Sequence, residues 1–150
     1  MKIETILCPI DFSEGSRRAI DCAKGMAADY KARLVLLYVI PHLSSLVHGF
    51  LHHDDELSKI YEGIEKEVRR EMGGIMEEIG GMGAAEQKVV VGDPSTEIIR
   101  MAEECMANLI VMGTHGRSGI DHMLFGSTTE KVVRKALCPV MTVKATSTGN

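Results

Sequence analysis

Apolar positions along the chain switch repeatedly between a short continuous pattern and a three-to-four spacing. Residues 3 to 8, IETILC, are β-branched and apolar, and Pro9, Asp11 and Ser13 follow them as strand-ending and helix-starting residues. From Ser13, the apolar Ala19, Ile20, Ala23, Met26 and Ala27 recur at helical spacing, predicting a helix to about Tyr30. Ser13 suits its N-cap, and Glu14 suits the positive end of the helix. Residues 33 to 40, RLVLLYVI, are almost wholly apolar, as in a parallel strand covered on both faces, and Pro41 ends them. Leu57, Tyr61, Ile64, Val68, Met72, Ile75 and Ile79 then form one stripe of a long amphipathic helix, closed by Gly80 and Gly81.

The second half repeats the alternation. Gln87 to Val91 predicts a third strand, and Asp93 with Pro94 supplies an N-cap and a first-turn proline for a helix to about Ala107. Asn108 to Met112 predicts a fourth strand. Ser127 and Glu130 fit an S-x-x-E capping box for a last helix to about Leu137, and Pro139 to Val143 predicts a fifth strand. Strands alternating with helices imply a doubly wound parallel sheet, because crossovers between parallel strands are right-handed. Ligands of such sheets sit beyond the carboxyl ends of the strands, which here are Pro9 to Asp11, Val39 to Pro41 and Gly113 to Gly116.

Composition narrows the field by exclusion. A chain of 150 residues with 45% hydrophobic content fills one core, so residues 1–144 are expected to form one domain and 145–150 a polar tail. A formal charge of -4 disfavours nucleic acid as a partner. No apolar run approaches the roughly 20 residues that span a bilayer, and the amino terminus is unlike a secretory signal, so a cytoplasmic protein without a membrane partner is expected. Cys8, Cys22, Cys105 and Cys138 form no CxxC pair, and reduced thiols are expected. His48, His52, His53, Asp54, Asp55 and Glu56 suggest a metal cluster, but their spacing is not that of a zinc motif; a solvated helix start is the favoured reading.

The segment LIVMGTHGRSGIDHMLFGS carries the chemistry. Gly113, Gly116, Gly126 and Ser127 follow the pattern G-x2-G-x9-G-S between a strand and a helix, where glycine lets backbone approach an anion at the positive helix end. The hydroxyls of Thr114, Ser127 and Thr128 add donors, and Arg117 lies in the same loop. The P-loop pattern G-x4-G-K-[ST] is absent, as is G-x-G-x-x-G after the first strand. Without a P-loop lysine or an evident general base, the pattern supports binding over turnover.

These residues, with Pro9, Asp11 and Val39, resemble the ATP-binding branch of the universal stress proteins, and the likeness covers the whole domain. The resemblance implies a five-stranded parallel sheet of order 3-2-1-4-5. It implies that Asp11 and Val39 hold adenine and ribose, with Pro9 shaping the pocket. Gly113 would border the ribose, while Gly116, Gly126, Ser127 and Thr128 would hold phosphates. It further implies ATP as ligand, with Mg or Mn bridging the phosphates, a regulatory role in stress response, and a homodimer formed through the edge strand Pro139 to Val143. Slow ATP hydrolysis and a nucleotide-independent scaffold are the competing readings.

Overall fold

The computed structural model describes residues 1–43, 54–80, 84–116 and 124–145. Five strands occur among them: β1 (Thr5–Ile10), β2 (Arg33–Ile40), β3 (Ala85–Val91), β4 (Leu109–Gly113) and β5 (Val140–Val143). The helices between them are α1 (Glu14–Tyr30), α2 (Asp54–Ile79), α3 (Pro94–Glu104) and α4 (Ser127–Lys135). All pairings are parallel, in the order β3-β2-β1-β4-β5 that the family resemblance implied.

Strand alternation builds two cores. Ile6, Cys8, Leu34, Leu36, Leu109 and Val111 face α1 and α2, where Ala19, Ala23, Val68 and Met72 close the layer. Leu7, Val35, Leu37, Ile110 and Met112 face the opposite way, against Ile98, Met101 and Ala102 of α3 and Val132 of α4. The continuous apolar runs of β1, β2 and β4 follow from this covering on both faces. The four cysteines are free thiols, and burial pushes Cys8 well above its ordinary range.

Two helix starts have the expected chemistry. Ser13 Oγ accepts from the Ser16 N–H at 3.2 Å, and Asp93 Oδ2 accepts from the Thr96 N–H at 3.1 Å, with Pro94 in the first turn. The third differs. Gly126 is the N-cap of α4, and Ser127 is its first helical residue, so the expected capping box is not formed. A long-range bond sets this start: the Gly126 N–H donates to the Thr114 carbonyl at 2.7 Å. Helix α3 ends three residues earlier than the sequence suggests, because Met106 takes a left-handed φ of 53° and the Ala107 N–H folds back to the Ala102 carbonyl at 2.8 Å.

Candidate functional site

The sheet opens between the carboxyl ends of β1 and β4, and a proline is the cause. The Glu4 carbonyl accepts from Arg33, just entering β2, at 2.8 Å, and the Thr5 carbonyl accepts from Asn108, just before β4, at 2.9 Å. Backbone alternation therefore turns Thr5, Leu7 and Pro9 toward β4. Pro9 has no N–H to donate, and the β1–β4 register ends at Leu7↔Ile110, whereas β1–β2 pairing continues to Ile10↔Tyr38. This is also the point where strand order reverses, the usual ligand crevice of a doubly wound sheet.

A cleft of about 430 Å³ occupies the opening. Its apolar half is walled by Leu37 and Val39 of β2, Met112 of β4, and Pro94 and Ile98 from the first turns of α3. Val39 stands one position past Ile10↔Tyr38, so the backbone edge it turns toward β1 lies where that strand has ended. The polar half collects Asp11, Gly113, Gly116, Gly126, Ser127 and Thr128. Pro9 also lines the cleft.

On the polar side, the first turn of α4 points into the cleft. The Glu130 N–H takes the first intrahelical bond, to the Gly126 carbonyl at 2.9 Å, so the N–H groups of Ser127, Thr128 and Thr129 precede the helical ladder. No side chain at the N-cap satisfies them. Such a turn receives anions through its donors and the positive end of the helix dipole.

The glycines have different jobs. A Cβ on Gly113 would lie 2.9 Å from the Gly15 carbonyl carbon, so this glycine lets β4 pass the first turn of α1. A Cβ on Gly116 would lie 2.6 Å from Asp11 Oδ2, so this one gives the acid room to sit against the loop. At Gly126 an added Cβ meets nothing closer than 3.6 Å.

Thr114 is the candidate that the fold does not bring to the cleft lining. It is buried, its N–H donates to the Val143 carbonyl at 3.0 Å, and its carbonyl holds Gly126. It braces the loop against β5. Arg117 lies outside the described residues, as do His48, His52 and His53 of the histidine-rich segment. Among the described residues, no group of three or more His, Cys, Asp or Glu side chains is arranged to hold a metal ion.

Sequence reasoning missed Ser16, Tyr38, Ile98 and Thr129, all of which line the cleft. Thr129 is buried, and its hydroxyl donates to the Gly113 carbonyl at 2.9 Å, tying α4 to the end of β4. Its signal was a run of three hydroxyl residues, Ser127 to Thr129, where one cap would suffice. Ile98 carried none, since an apolar residue on an amphipathic helix reads as core.

The chain is thus a doubly wound α/β protein whose switch-point cleft is lined by apolar side chains, glycine backbone, a helix amino terminus and one acid, a lining suited to a small, partly anionic ligand. The sequence profile of the Universal stress protein family matches residues 2–144, and the chain belongs to that family. Universal stress protein MJ0577 of Methanocaldococcus jannaschii is 30% identical over 151 residues, covering 93% of each chain. Universal stress protein YxiE of Bacillus subtilis is 31% identical, over 93% of this chain and 97% of its own. The solved structure of MJ0577 matches with a TM-score of 0.87 at 28% identity, covering 99% of this chain and all of the other. A universal stress protein solved in complex with cAMP matches with a TM-score of 0.65 at 26% identity, over 97% of this chain and all of its own.

Proposed function

We propose that the cleft binds an adenine nucleotide, with ATP as the working ligand, and that occupancy serves as a regulatory signal in a cytoplasmic stress response. The observation that carries this reading is the convergence of Asp11, Val39, Gly113, Gly116, Gly126, Ser127 and Thr128 on one cleft. The apolar slot between β2 and α3 takes the base, and the Val39 backbone offers it hydrogen bonds. Asp11 takes ribose hydroxyls. The amide donors of Ser127 to Thr129 take phosphate oxygens, in a loop where glycines allow close approach. The cAMP complex of a 26% identical relative supports an adenine ligand.

Magnesium or manganese would neutralise the phosphates while keeping mostly water ligands, which demands no protein carboxylate cage. Asp11 is the single carboxylate among the described residues lining the cleft, and it stands at the end of β1 on the proposed ribose side. Holding the nucleotide rather than consuming it fits this lining. The homodimer of the reading forms through β5, the outermost strand on its side of the sheet, all four residues of which are partly exposed.

The test is direct. Protein purified without added nucleotide, then denatured and analysed by mass spectrometry, is expected to release an adenine nucleotide or, if empty, to bind ATP on addition. Release of a non-nucleotide ligand, with no ATP binding by the emptied protein, contradicts the reading.

A further inference from the structure

The turn after β1 is tied together more thoroughly than helix capping requires. The Ser13 N–H donates to Asp11 Oδ1 at 3.0 Å, and the Ser16 N–H donates to Ser13 Oγ at 3.2 Å, which completes the cap of α1. Two further bonds use the Ser16 hydroxyl. It donates to the Ser13 carbonyl at 3.1 Å and accepts from the Asp11 N–H at 3.4 Å. Ser16 is buried at 4% exposure and lines the cleft. Between these partners, Phe12 is held at a left-handed φ of 63°, with its ring stacked on Tyr38 at a centroid distance of 5.0 Å.

Helix stability does not explain Ser16. Ser13 already supplies the capping oxygen, and alanine would suit a buried first-turn site better by intrinsic helix propensity. The Ser16 hydroxyl instead joins the strand end to the helix, at the residue whose side chain enters the cleft. The 2.6 Å separation between Asp11 Oδ2 and a Cβ built on Gly116 shows the second carboxylate oxygen lying against the glycine loop. One oxygen accepts from the N–H of Ser13, the N-cap of α1, the other is confined by the loop, and Ser16 holds the backbone N–H of the same residue. The acid is thus oriented before any ligand arrives.

We propose that Ser16 is a positioning residue that orients the Asp11 carboxylate for ribose hydroxyls, so that the cleft selects ribonucleotides over 2′,3′-dideoxynucleotides. The inference rests on the adenine-nucleotide reading of the cleft. A carboxylate accepts from vicinal hydroxyls effectively only when its position is fixed, and hydrogen bonds to charged groups are the ones with enough strength to discriminate.

Calorimetric titration with ATP and with 2′,3′-dideoxy-ATP tests it. Wild type should prefer ATP by about tenfold, the order expected for a lost hydrogen bond to a charged group. Asp11→Ala and Ser16→Ala should each bring the two affinities to within about twofold, and Ser16→Ala should change the ratio no further in the Asp11→Ala background. Ser16→Thr and Ser16→Val, alike in volume and different in the hydroxyl, separate positioning from packing if Ser16→Ala is too unstable to titrate; the threonine should keep the preference and the valine lose it. A wild type without the preference, or Ser16 variants that weaken both ligands equally with the ratio intact, would overturn the positioning role while leaving nucleotide binding in place. Failure of wild type to bind either ligand would overturn the adenine-nucleotide reading itself.

Discussion

At the scale of single residues, the glycines of the loop separate by what a methyl group would strike. Gly113→Ala drives a Cβ into the backbone of Gly15, which cannot swing aside as a side chain tip can. Its expected cost is about 1–3 kcal/mol, read as a Tm lower by about 2–4 °C for each kcal/mol. Gly126 presents the opposite case, with a φ of -68°, room for a side chain and an N-cap position without a capping oxygen. Gly126→Ser is expected to raise the Tm of the empty protein slightly and to weaken ATP, because the new hydroxyl takes an amide that phosphate would use. Thermal melting and titration of the same variant check both halves; a stabilised variant with undiminished ATP affinity would remove α4 from the phosphate site.

At the scale of elements, caps show what a sequence discloses and what it withholds. Ser13 and Asp93 were legible as caps because their partners, Ser16 and Thr96, lie three residues away. Ser127 was misread because the start of α4 is fixed by the Gly126–Thr114 bond across a loop, which no local pattern encodes. Ile98 and Ser16 were unreadable as site residues for a related reason: only the sheet order brings α3 and the end of β1 to one cleft. The glycine spacing was legible because glycines recur where a strand passes into a helix, whereas Pro9, Asp11 and Val39 entered as individual site residues only through the family resemblance, valine being an ordinary residue in an apolar strand. Asp93 also carries a pH prediction. Hydrogen bonds from the Thr96 hydroxyl, the Thr96 N–H and the Ser95 hydroxyl hold its carboxyl below the ordinary 3.8. A depressed folded value means that the cap stabilises fully above the unfolded value and fades as pH falls through the folded one. Asp93→Ala should therefore cost about 1 kcal/mol at neutral pH, and its deficit against wild type should shrink in acid below 3.8, as measured by denaturant unfolding across pH.

At the scale of the whole molecule, the edge strand and the cleft share one brace. The Thr114 N–H holds the end of β5 at Val143, and the Thr114 carbonyl holds the first residue before α4. If β5 is the dimer seam, Thr142→Pro should abolish the dimer in sedimentation velocity, since proline breaks an edge ladder while leaving the buried strands of the sheet intact. The ends of β1 and β2, the glycine loop and the amino terminus of α4 line one cleft, proposed above as an adenine-nucleotide site. Isothermal titration of nucleotide-free wild type with ATP and magnesium tests that proposal most directly. One site per chain with a Kd in the micromolar range or tighter is the expected result, and absence of binding at millimolar ATP would contradict it.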